Sequence, residues 1–179
     1  MKVIELLEFL NREEKEIILE QAFCHKPKGC FKAKLITPTD LSPLFPYIRS
    51  RTKVLFFKPE EILEFKWQNQ GTFYRVLLDR NSITWGIVSG YEEAMNVWKN
   101  LSLFLKETLL NIDQIEPNSQ PVKRATALEI YKWLPKTNCR DCGENSCLAF
   151  AAKMSIGEAD LSDCPHLKDQ DLKTLEKLV

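Results

Sequence analysis

Apolar residues recur along this chain at two spacings, and the switches between them mark out the expected elements. Val3, Leu6, Leu7 and Leu10 share one helical face by i, i+3, i+4 spacing. Ile17, Ile18 and Ala22 continue a second stripe, predicting helix over residues 3–23 with a break near Asn11. A short strand is expected at residues 31–36. The two prolines of Thr37–Pro43 then forbid a ladder or a helix, and the following LSPLFPYI reads as an apolar loop covering the core. Period-two segments follow at 53–58, 62–67, 72–79 and 83–88. In the second, Leu63, Phe65 and Trp67 alternate with Glu64 and Lys66, as in a strand with one wet face. The links between them are too short for crossovers, so the neighbours must be antiparallel. Helical spacing returns over 90–110, where Ala94, Val97, Trp98, Leu101, Leu105 and Thr108 form a stripe and Ser89 with Glu92 has capping-box spacing. Trp85 and Trp98 are placed to meet between strand and helix.

This order predicts an α+β fold: an N-terminal antiparallel meander sheet packed with helices, plus a small helical C-terminal domain. Residues 113–124 hold two prolines and no periodicity, so they are expected to link an N-terminal domain over 1–112 to a second over 125–179. In the second, Thr126 and Glu129 have the spacing of a capping box, and Pro135 stops the helix they open. Asn145 or Ser146 caps a further helix that ends at Gly157, and residues 168–179 read as a short charged helix or tail.

Charge narrows the function. Twenty-five basic residues balance 25 acidic ones, a poor match to nucleic acid or an anionic membrane surface. Glu5 and Glu8 interrupt the apolar opening where a signal peptide would not tolerate them, and no apolar run reaches membrane-span length. The expectation is a cytoplasmic, soluble protein.

Cysteine usage changes the picture most. Four of 6 cysteines, Cys139, Cys142, Cys147 and Cys164, stand as C-x2-C-x4-C-x16-C. Thiolates are soft donors, and an iron–sulfide core takes one per iron. Gly143 permits a tight turn after the second cysteine, and Pro165 follows the last. Structural zinc is the competing reading, although zinc ribbons present two separated C-x2-C pairs and this chain has one. Disulfides suit an oxidising compartment, against the cytoplasmic expectation. His166, two positions after Cys164, reads as a solvent-facing histidine, or as a candidate donor to a cluster sulfur. The remaining pair, Cys24 and Cys30 with His25 between them, lacks a fourth ligand nearby. It reads as small buried residues at the edges of a loop, or as a redox pair. Lys26, Lys28, Lys32 and Lys34 in the same stretch read as a solvated loop, or as a basic patch for an acidic partner.

The stretch ALEIYKWLPKTNCRDCGENSCLAFAAKM…CP resembles the four-cysteine [4Fe-4S] domain family found in the corrinoid iron–sulfur protein large subunit. The resemblance covers about a quarter of the chain and includes all four cysteines, the LPKTNC lead-in and the CLAFA helix. It implies that Cys139, Cys142, Cys147 and Cys164 ligate a [4Fe-4S] cluster. It also implies a redox partner protein, with a corrinoid protein of one-carbon metabolism in an anaerobe as candidate. With four cysteines on four irons no iron is open to substrate, so single-electron delivery is expected. The alternative is a redox or oxygen sensor whose N-terminal domain engages a partner. No nucleophile–base pair, phosphate loop or paired carboxylates support an enzyme in the N-terminal domain.

Overall fold

A computed structural model describes residues 3–12, 16–22, 30–123 and 125–178. Cys24, His25, Lys26 and Lys28 lie outside them, so the expectations for that loop rest on sequence alone. Packing divides the chain into two compact units, Met1–Val122 and Lys123–Val179.

The first unit opens with helix α1 (Val3–Asn11) and strand β1 (Ile18–Gln21), followed by β2 (Phe31–Ile36). A 3-10 turn at Ser42–Leu44 leads into helix α2 (Phe45–Arg51). Strands β3 (Lys53–Lys58), β4 (Ile62–Asn69), β5 (Thr72–Asp79) and β6 (Ser82–Val88) precede the long helix α3 (Tyr91–Leu110). The six strands form one antiparallel sheet in the order β1-β2-β6-β5-β4-β3. This is the α+β architecture expected, with two corrections. The stripe around Ile17 and Ile18 is an edge strand, not a second half-helix: Ile18 to Gln21 pair with Lys34 to Phe31. The LSPLFPYI stretch is helical, because Pro43 and Pro46 stand in the first turns of their helices. There proline's missing N–H costs nothing and its fixed φ helps.

The sheet buries alternate residues under α1 and α3. Tyr74, Val76 and Leu78 of β5, Leu63 and Phe65 of β4, and Ile83 and Trp85 of β6 are all buried. Trp85 stacks on Trp98 of α3 with ring centroids 5.7 Å apart, and Phe9 of α1 meets Trp98 edge-on at 6.3 Å. The entry to α3 is fixed by Glu93, one residue beyond the expected Glu92. Its Oε2 accepts from both the backbone N–H and the hydroxyl of Ser89, at 2.7 and 2.6 Å. Its Oε1 accepts from the Tyr74 hydroxyl at 2.7 Å, tying helix to sheet.

Part of the expected linker belongs to this unit. Val122 exchanges both backbone hydrogen bonds with Phe57 at 2.9 Å, and Asn118 N–H donates to the Pro46 carbonyl.

The second unit holds α4 (Ala127–Tyr131), α5 (Cys147–Ser155) and α6 (Asp169–Leu178). Its core is small: Ile130, Leu134, Phe150, Ala151, Met154 and Leu175 are buried together with Cys147. Thr126 and Glu129 close the expected capping box on α4. Ser146 caps α5 by accepting from the Ala149 N–H, and Gly157 ends it with φ of 75°.

Candidate metal centre

The loop from Lys136 to Gly143 owes its shape to left-handed residues. Lys136, Asn138 and Arg140 have φ of 61°, 51° and 70°. Such φ values are uncommon outside glycine and cost free energy, so the surroundings must hold them. Gly143 has φ of 81° and donates its N–H to the Arg140 carbonyl at 2.8 Å. A Cβ there would meet nothing within 4 Å, so conformation, not crowding, calls for glycine.

Asn138 anchors this loop to α5: its Oδ1 accepts from the Cys147 N–H at 2.9 Å. That bond satisfies a helix N–H that has no partner within the helix, and it fixes Cys147 at the first helical position. Cys147 is therefore held from both sides and is buried. Cys142 and Cys164 are half-buried and pack on the same core, while Cys139 is exposed. All four are thiols and not disulfides. Burial pushes the Cys164 thiol up, the His166 backbone N–H pulls it down, and the charges of Cys142, Cys147 and Cys139 push it up again. Cys142, Cys147 and Cys164 pack on one small core, and Cys139 stands on the same loop as Cys142.

The charged residues around them are held by local partners. Lys153 of α5 pairs with Glu144. Lys136 donates to the Lys132 carbonyl at 3.1 Å and lies over the Tyr131 ring. The imidazole of His166 engages Asp141, Nε2 to Oδ2 at 2.5 Å, where the sequence had suggested a sulfur; only its main-chain N–H turns to Cys164. The Asp141 carboxyl is held below its usual range, first by His166 and then by the Cys139 thiol. Donor atoms of Cys139, Asp141 and His166 all lie within 4.8 Å of one another. Neither the Asn138 anchor nor the Asp141–His166 pair was foreseen. The one advance hint was that Asn and Asp in a cysteine-rich loop tolerate left-handed or capping roles.

Three cysteines on one small core, a fourth on the adjoining loop and a helix N-terminus at Cys147 fit a sulfur-ligated anionic group. Residues 134–166 match the family described as "Putative Fe-S cluster", which supports an iron–sulfur cofactor in this segment.

Curated relatives match the same C-terminal part. The acetyl-CoA decarbonylase/synthase complex subunit gamma of Methanothermobacter thermautotrophicus is 46% identical over 56 residues, 31% of this chain and 12% of that one. The corrinoid/iron-sulfur protein large subunit of Moorella thermoacetica is 49% identical over 51 residues, 28% of this chain and 11% of its own length. The subunit gamma of Methanosarcina acetivorans is 50% identical over 46 residues. The chain thus spans only about an eighth of the length of the first curated relatives it matches. No solved structure matches it. Among the described residues no helix is long and apolar enough to cross a membrane.

Proposed function

We propose that Cys139, Cys142, Cys147 and Cys164 hold a [4Fe-4S] cluster, and that the chain delivers single electrons to a protein partner. When bound, the cluster supplies a reversible one-electron couple. The chain's own residues do the rest. Asn138 and Ser146 present Cys147 at a helix N-terminus, whose partial positive charge offsets an anionic group. Cys139 brings the site to the surface, where a partner can approach. The carrying observation is that Cys142, Cys147 and Cys164 pack into one small core beside the loop that bears Cys139, within a segment that matches an iron–sulfur family. The relatives' names, an acetyl-CoA decarbonylase/synthase complex subunit and a corrinoid/iron-sulfur protein, support a role in corrinoid-dependent one-carbon metabolism with a corrinoid protein as candidate partner; on this reading the chain works in the cytoplasm of an anaerobe. Residues 1–112 serve partner or ligand binding, and residues 113–124, bonded back to the first unit through Asn118 and Val122, lead on to the cluster domain.

The test is anaerobic reconstitution with iron and sulfide. About four irons per chain, a broad visible absorption band and an EPR signal on reduction are expected. A colourless protein holding one zinc would overturn the cluster assignment.

A cluster-based redox or oxygen sensor is the second reading. It is favoured by Cys142, Cys147 and Cys164 being part of the small core, so that losing the ligated group would loosen the unit. Air-dependent partner binding without electron transfer would select this reading.

A further inference from the structure

We infer that the shoulder of α3 in the first unit is a binding site for an organic anion, a phosphate or carboxylate carried on a flat apolar body. A cavity of about 620 Å³ lies between the end of α1, the β4–β5 turn and α3. That volume is in the range of ligand sites, roughly 300–1,000 Å³.

Its charge is one-sided. Among the described residues Arg12, Lys99 and Lys106 line it, and no carboxylate does. None of the three has an ion-pair partner among the described residues. In a chain with equal numbers of acidic and basic residues, three uncompensated cations on one concavity are a local excess that attracts anions. Lys99 and Lys106 stand seven residues apart on α3, two turns along one face, so both reach the same opening.

Hydrogen-bonding groups are already positioned there. Asn69, 6% exposed, accepts from the Asn100 amide and donates to Asn96 Oδ1. With its oxygen so engaged, Asn96 keeps its NH₂ group without a partner among the described residues, a donor suited to an anion. Gln70 joins the rim from the tight turn. There Gln70 and Gly71 have φ of 49° and 85°, as both central residues of a type I′ hairpin must.

The floor is apolar and rigid. Trp98 is clamped between Trp85 and Phe9, and Met95 and Leu103 extend the apolar surface outward. A bare inorganic ion would leave this surface unused, and a neutral ring would leave the cations unused.

The site lies wholly within Met1–Val122 and does not depend on the metal assignment. The test is calorimetric titration of the full chain with 1-naphthyl phosphate, 1-naphthoate, 1-naphthol and inorganic phosphate. Naphthyl phosphate or naphthoate is expected to bind at least about tenfold tighter than naphthol, and the tighter of the two identifies the head group. The double variant K99Q/K106Q, which keeps similar helix propensity, should bring the anion down to naphthol's level. Asn96→Asp, which sets a carboxylate at the rim, should weaken the anion independently. Equal binding of naphthol, no binding by any probe, or anion affinity unchanged in both variants would overturn the assignment. Inorganic phosphate binding as tightly as naphthyl phosphate would overturn its apolar half.

Discussion

His166 and Asp141 stand 25 residues apart in sequence, and their side chains meet at 2.5 Å. The contact joins the turn carrying Cys164 to the loop carrying Cys139 and Cys142. It closes the sulfur site at the one place where no helix does so, since Cys147 is already fixed by α5. Asp141→Ala should therefore speed iron release to a chelator from anaerobically reconstituted protein by about tenfold, the low end for residues that orient ligands. His166→Ala should act alike, and the double variant should be no worse than either single one. Additive effects in the double variant would show that the two act separately.

Removing the metal should affect the two units unequally. The second unit has a small core to which three of the four cysteines contribute, whereas the first has a full sheet-and-helix core. Chelation under air is expected to expose residues 123–179 to protease while a fragment near 1–122 survives. Mass spectrometry of a limited digest would reveal this. Equal resistance with and without metal would contradict it.

Trp85 is fully buried against Trp98. Trp85→Ala leaves a large void and should cost about 3–5 kcal/mol in urea unfolding of the first unit. Trp85→Phe should cost much less. The indole Nε1 is buried with no hydrogen-bond partner among the described residues, so phenylalanine removes an unsatisfied donor along with some volume.

The pair Glu93 and Tyr74 predicts how the first unit responds to pH. Burial pushes Glu93 up, but hydrogen bonds from Ser89 and Tyr74 outweigh it and hold the carboxyl below its ordinary 4.5. A depressed carboxylate stabilises the fold above its unfolded pKa, and this contribution is lost as pH falls through the lower folded value. Tyr74 moves the other way. Burial first, then Glu93, raise it from 10.0 to about 12. Its contribution is complete below pH 10 and is lost as pH climbs toward 12. Unfolding midpoints measured from pH 3 to 12 should decline at both ends. Glu93→Gln should flatten the acid side and Tyr74→Phe the alkaline side.

The sheet was legible because its central strands connect through turns of a few residues, so each hydrophobic alternation has its partner next door. β1 was not. It spans four residues, Ile18 faces out, and its partner β2 begins only at Phe31, so nothing local separates it from a helical stripe. α2 was missed for a different reason. Proline breaks a helix in its interior but starts one in its first turn, and sequence alone does not say which position it occupies. The cysteine spacing marked out the candidate sulfur site, in the segment that matches an iron–sulfur family. The contacts that shape it, Asn138 to Cys147 and Asp141 to His166, depend on left-handed backbone and on closure across 25 residues, neither of which leaves a periodic trace.

The graded exposure of the four cysteines gives the site an outside and an inside. Cys139 faces bulk water, Cys142 and Cys164 are shielded in part, and Cys147 is sealed. An alkylating reagent or a diffusing oxidant arriving at the apo-protein would therefore mark the first of them well before the third. The chain then carries its own record of exposure to air, written from one end of the quartet.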